Sequence, residues 1–209
     1  MTSLPLPLIC ITCLPPWPQA MMFAGKNLEN RDANVAARLA PFVGQNIGIS
    51  QSKGFTKQWS KHDAVMAALE IEFNQRHRPG FKHRDLGREE DWPKTAGKLI
   101  LVARLDRIAK PSEYSRNPWH FASQHGLVLG KVWQVEPVTC TGGAGAWEPT
   151  WCVKCGHIMA DNARAPLCCP KCKAIWPENR MTRKGMEHLN ANCGASIERP
   201  QLRIVRECQ

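Results

Sequence analysis

The chain has 209 residues, with 28 Lys and Arg against 18 Asp and Glu, a formal net charge of +10 at neutral pH. That length suits one domain of ordinary size plus a small module, and the basic balance favours a polyanionic partner, nucleic acid first. The N-terminal stretch is apolar, but Pro5, Pro7, Pro15, Pro16 and Pro18 interrupt it and no cation precedes Lys26. It reads as neither a signal peptide nor a membrane helix.

In chain order, Leu6 to Leu14 reads as a strand with Leu8, Cys10 and Thr12 on one face and Ile9 and Ile11 on the other; its prolines suggest an edge or a strand start. Trp17 to Phe23 can form a short helix, because Pro18 loses no needed N–H in a first turn and Gly25 can take the left-handed angle that ends it. The chain then turns out and presents Lys26, Glu29 and Arg31 within six residues. In an extended run Glu29 and Arg31 share a side. An ammonium, a carboxylate and a guanidinium beside a tryptophan could bind a flat, polar, partly anionic ligand; the alternative is a surface Glu–Arg pair plus a solvated lysine. Asp32 to Ala40 is alanine-rich and suits a helix stopped by Pro41.

Asn46 to Ser50 is a short strand. Ser60 offers an N-cap, and Val65, Met66, Leu69 and Phe73 recur at helical spacing, so 61–75 is expected to be helical and to pack its apolar stripe into the core. Residues 76–94 form a loop carrying Arg76, His77, Arg78, Lys82, His83, Arg84 and Arg88, diluted by Asp85, Glu89, Glu90 and Asp91. It could grip phosphates or be plainly solvated. Lys98 to Ile108 is the strongest strand, and its continuous apolar run predicts burial on both faces. Gly126 to Val135 is another. Without βαβ alternation, these strands fit a small closed barrel better than a parallel doubly wound sheet. Gly142, Gly143 and Gly145 lead into no helix, so they serve backbone turning rather than dinucleotide binding.

The second unit is sharper. Cys152, Cys155, Cys169 and Cys172 make a C-x2-C-x13-C-x2-C pattern. Each pair can form a tight turn that offers two thiolates, and two turns complete a tetrahedron around one Zn²⁺. Four thiolates leave no open position for water, so the ion is expected to be structural, in a reducing, cytoplasmic setting. Cys168 is a weaker substitute ligand, and His157, His188, Cys193, Cys140 and Cys208 have no defensible second-site spacing. Residues 150–209 carry ten basic residues against five acidic. Lys154, Lys171, Lys173, Arg180, Arg183 and Lys184, with Trp151 and Trp176, could contact nucleic acid, or the unit could dock a protein partner. Met181 to Leu189 reads as a short helix and Leu202 to Val205 as a short strand.

The segment Ile11 to Arg31, ending in Gly-Lys-Asn-Leu-Glu-Asn-Arg, resembles the signature of the ASCH domain, a PUA-like β-barrel family. Gly48 to Lys53 resembles the family's second strand and following loop. Asn117 to His120, Gly126 to Leu129, Pro137 to Cys140 and Gly142 to Trp147 resemble its C-terminal part. The resemblance covers roughly residues 6–149, and the cysteine unit resembles a zinc ribbon. Together they imply an α+β fold: a small PUA-like β-barrel with flanking helices over 1–149, a zinc ribbon over 150–177 and a basic tail over 178–209.

The resemblance further implies a cleft lined by Trp17, Lys26, Glu29, Arg31, Ser50 and Trp119 that takes RNA, DNA or a modified base or nucleoside. Some similar proteins remove an acyl group from N4-acylated cytidine with a lysine, a threonine and a glutamate, and a ribonuclease activity has been proposed within the family. Lys26 matches that lysine and is the candidate catalytic residue. However, Glu29 stands at the threonine position, and no residue here matches the catalytic glutamate. Ser50 replaces a frequent histidine, and Pro15 replaces a usual glutamine. These departures favour binding over hydrolysis.

Overall fold

The computed structural model describes residues 2–53, 94–117, 119–161, 169, 171–174, 180–182 and 198–208. The helix expected over 61–75, nearly all of the basic loop at 76–94, Cys168, Trp176, Arg183, Lys184, His188 and Cys193 lie outside them, as does the expected helix from Met181 to Leu189 beyond Thr182, with Met181 itself in a strand.

The fold is α+β and strand-rich, a curled half-barrel sheet with two α-helices among the described residues. Its spine is one long antiparallel hairpin, β5 (Lys98–Ala109) against β6 (His125–Thr141). The expected strand 98–108 is there. The one at 126–135 runs six residues further, to Thr141. Leu99 to Ala103 are buried on both faces, as the unbroken apolar run required. A register shift between Leu99 and Leu101 breaks the alternation, so that Ile100 and Leu101 both enter the inner core while Leu99 and Val102 pack outside it. Such irregularities bend a strand, and three of them along this hairpin curl the sheet.

One side of the spine continues through β4 (Asn46–Gln51, antiparallel) to β2 (Cys10–Cys13, parallel to β4) and then β7 (Ala146–Trp147). The expected Leu6–Leu14 strand is corrected here. Its chain pairs as β1 (Ser3–Pro5) and then β2, and β2 is an interior strand with β4 and β7 as neighbours, not an edge. The prolines interrupt pairing only outside residues 10–13, where no ladder N–H is lost. The face assignment holds: Ile9 and Ile11 enter the inner core and Cys10 packs on the other side.

Along its second edge, β6 takes three strands in succession. These are β3 (Leu28–Arg31) at 125–128, β11 (Gln201–Glu207) at 133–135, and β9 (Ile158–Ala160), parallel, at 140–141. The C-terminal β11, seen in sequence only as 202–205, also pairs with β1 and so ties both ends of the chain to the barrel.

The boundary drawn at 149/150 falls inside continuous structure. β8 (Pro149–Cys152) pairs with β9 and with β10 (Arg180–Met181), extending the sheet from β6. Trp151, Ile158 and Met181 share one core with Leu99, Val102, Val135 and Trp147. A tryptophan buried this way contributes about 4–6 kcal/mol by area, so the cysteine unit is seated on the barrel rather than hung from it. No described helix is long and apolar enough to cross a membrane.

Candidate functional site

β2 and β3 lie towards opposite ends of the curled sheet, and among the described residues no backbone ladder joins them. Side chains close the seam instead. Arg31 on β3 reaches across to β2, where Nη2 donates to the Thr12 carbonyl at 2.9 Å and to Cys13 Sγ at 3.0 Å. The same nitrogen lies 3.1 Å from Glu29 Oε1, and Cys13 donates to that oxygen at 3.5 Å. Lys26 completes the group, with Nζ 2.8 Å from Glu29 Oε2 and a second bond to the Leu28 carbonyl.

The expectation that the chain turns outward at Lys26 is corrected. Lys26 is 1% exposed and Glu29 5%. The surface-pair alternative fails for the same reason. The cause is local: α1 (Trp17–Phe23) starts with Pro18 in its first turn and ends before Gly25 at φ 67°, and the Lys26 N–H then bonds back to the Ala20 carbonyl. That six-residue back-bond is how a left-handed helix terminus reverses a chain. Lys26 is thereby folded in beside the start of β3, with Nζ 5.6 Å from the Trp17 ring centre and 5.9 Å from that of Trp119. Cation–ring contacts at this range stabilise a desolvated ammonium.

Burial alone pushes the Glu29 carboxyl up. Lys26 and Arg31, with hydrogen bonds from Lys26 and Cys13, outweigh it and hold Glu29 below the ordinary carboxylate range. Burial, and then the Glu29 charge, push the Cys13 thiol up to about 12, so it stays protonated and can donate. Sequence reading missed Cys13: nothing in a lone cysteine on a strand announces such a partner.

The alternation of β3 does a second job on its other face. Asn30 Nδ2 donates to the Trp119 carbonyl at 2.7 Å, and the Phe121 N–H donates to Asn30 Oδ1 at 2.8 Å. Asn27 bonds Asn117, whose carboxamide oxygen accepts the Trp119 N–H. Two asparagines of the Gly25–Arg31 segment therefore hold the loop that carries the aromatic rings. Trp119 is buried as an inner wall. The exposed ring is Phe121, edge-on to Trp17 at 6.4 Å. With Trp17 it forms an apolar lip, half-buried at Trp17 and 39% exposed at Phe121.

Ser50 does not touch the three charges. Its hydroxyl lies 3.0 Å from Thr12 Oγ1, which donates to the Gly143 carbonyl and accepts from Trp147 Nε1. A Cβ at Gly142 would come within 2.9 Å of that Thr12 oxygen, so the glycine-rich turn is small because it packs on this hydroxyl pair. Gln19, also buried, donates to Gln51 at 2.7 Å and leaves its own Oε1 without a partner.

Cys152, Cys155, Cys169 and Cys172 come together, with ligand sulfurs all within 4.8 Å of one another. All four are free cysteines. The two turns repeat the same device. Gly156 N–H bonds the Cys152 carbonyl and Lys173 N–H bonds the Cys169 carbonyl; Cys152 N–H bonds the His157 carbonyl and Cys169 N–H bonds that of Ala174. The residue after each second cysteine is left-handed, Gly156 at φ 68° and Lys173 at φ 61°. Left-handed geometry costs a lysine about 1–2 kcal/mol.

Sulfur pairs 3.6 and 3.7 Å apart (155–169 and 152–172) match the edge of about 3.8 Å that a tetrahedral zinc site with 2.3 Å bonds requires. The Ala174 N–H bond, then the neighbouring thiols, bring Cys172 down to about 7. The four sulfurs could hold a metal ion. Lys154, Lys171 and Lys173 are exposed around them, while His157 is buried with Nε2 unpartnered.

Comparison with protein-family models and with curated proteins finds no match for this chain.

Proposed function

We propose that the chain is a nucleic-acid-binding protein of the ASCH, PUA-like kind with a structural zinc ribbon, taking RNA or DNA, or a modified base or nucleoside, at the β2–β3 seam. One observation carries the reading: an ammonium, a carboxylate and a guanidinium are fixed side by side next to the half-buried ring of Trp17 and the exposed ring of Phe121. A lip of Trp17 and Phe121 suits base stacking, and polar groups held by packing suit base-edge or phosphate contacts. Four thiolates around one ion suit Zn²⁺ bound for stability. Lys154, Lys171 and Lys173 on the ribbon supply sequence-independent phosphate contacts, and two weak surfaces on one rigid body act as a stronger one.

Nothing in the arrangement favours hydrolysis. Lys26 Nζ is directed at a carboxylate and a carbonyl of the protein, not at an incoming acyl group.

The test is retardation of short RNA and DNA strands across a salt series. Binding should weaken steeply with salt, and Lys154→Ala with Lys171→Ala should lower the slope by about two phosphate contacts. Strands that migrate freely at low salt would remove the strand-binding part of the reading and leave the nucleoside part.

A further inference from the structure

Arg31 closes the seam with one nitrogen. Among the described residues Nη2 makes all of its hydrogen bonds, while Nε is buried and meets no acceptor. A guanidinium presents five donors in one plane, so most of this fork is unused. Among the described residues the buried charges do not balance either. Lys26 and Arg31 share the single carboxylate of Glu29, and Cys13 is a protonated thiol. Asp32 is next in the chain, but it is exposed and its Oδ1 caps α2 (Ala33–Leu39) by accepting the Val35 N–H. Its charge still acts on Arg31 from outside, but among the described residues Glu29 is the one buried carboxylate that the two cations meet, so an anion on the open side of Arg31 would be stabilised.

Access is on the Arg31 side, whose side chain is 18% exposed whereas those of Lys26 and Glu29 are closed off. His125 stands directly opposite Arg31 in the β3–β6 pairing, so the two share a face with Cβ atoms about 5 Å apart. The lip, half-buried at Trp17 and exposed at Phe121, begins four residues beyond Cys13, which Arg31 touches.

We propose that the seam takes a nucleotide by its phosphate, with a phosphate oxyanion on Arg31 and His125 and the base against Trp17 and Phe121. This rests on the nucleic-acid or nucleoside reading above and adds that the anion, not the base alone, decides affinity. A free nucleotide and the phosphorylated end of a strand offer the same chemistry.

The experiment uses the full-length, metal-loaded chain and isothermal calorimetry. The probes are adenosine and cytidine, their 5′-monophosphates, and a short single strand with and without a 5′-phosphate. Inorganic phosphate serves as competitor. Monophosphates should bind about tenfold to a hundredfold tighter than nucleosides, the range of charge-assisted pairs, and inorganic phosphate should displace them. Arg31→Gln should abolish the difference and His125→Ala should reduce it.

Because Arg31 also holds the seam together, the wild-type comparison is decisive whether or not that variant folds. Preference for the phosphorylated strand over the free monophosphate assigns the site to strand ends, and the reverse assigns it to free nucleotides; both support the proposal. Equal affinity for nucleoside and monophosphate overturns it while leaving the nucleoside reading intact. Failure of every probe, strands included, overturns both.

Discussion

At the seam, three charges come from one seven-residue stretch and find partners inside the protein. At the cysteine cluster, four sulfurs from two turns face one another, with backbone N–H groups of their own turns as further partners among the described residues. The seam is positioned by packing: α1 ends in a back-bond, β3 pairs with β6, and each side chain of the cluster fixes the next. The cysteine turns are positioned by repeated backbone bonds, but their thiolates repel without a cation between them. The first centre is therefore built to keep its geometry with no ligand. The second could hold a metal ion, which would add stability to that of the core that Trp151 and Ile158 share with the barrel.

The largest effect should come from taking that ion away. Chelation, or Cys152→Ala with Cys169→Ala, should reduce bound metal from one ion per chain to none and strip amide-exchange protection from residues 149–160. Structural ions in small modules contribute on the order of 10 kcal/mol, but β5 is expected to stay protected. Unchanged exchange at 149–160 would mean the turns stand by packing alone, and the contrast would collapse.

Glu29→Gln breaks the other centre by leaving Lys26 and Arg31 buried without a counter-charge. It should cost about 3–5 kcal/mol in urea unfolding. The folded Glu29 carboxyl lies below its ordinary range. Its contribution is therefore complete above that range and is lost as pH falls through the folded value. The variant should show a flatter acid limb, and an identical limb would place the acid sensitivity elsewhere.

Asn30→Ala should cost about 1–2 kcal/mol by releasing two hydrogen bonds to the Trp119–Phe121 loop. It should also weaken nucleic-acid binding without altering metal content. The smallest effects probe the twin turns with opposite signs. Gly156→Ala should cost about 1 kcal/mol, because alanine resists a φ of 68°. Lys173→Gly should gain up to about 1 kcal/mol by relieving the same strain. Metal-loaded melting curves read both, and equal signs would show the turns are not equivalent.

Much of this was legible in the sequence where one local rule decides. The C-x2-C spacing brought four sulfurs together because each pair needs only one turn. Pro18 and Gly25 bounded a short helix, and the apolar run from Leu99 marked the strand buried on both faces. Period two put Glu29 and Arg31 on one side. What the sequence left open was where that side points. Whether Lys26 is solvated or enclosed depends on a curled sheet that brings β2 back towards β3, and no local pattern encodes that approach. The same holds for Cys13, for Asn27 and Asn30 as anchors of a loop some ninety residues away, and for the seating of the cysteine turns on the β6 edge. Helix ends, metal turns and strand faces are fixed by neighbours in the chain, so the sequence by itself determined them. A charge is buried or exposed according to what the rest of the chain lays over it, and only the tertiary structure decided that.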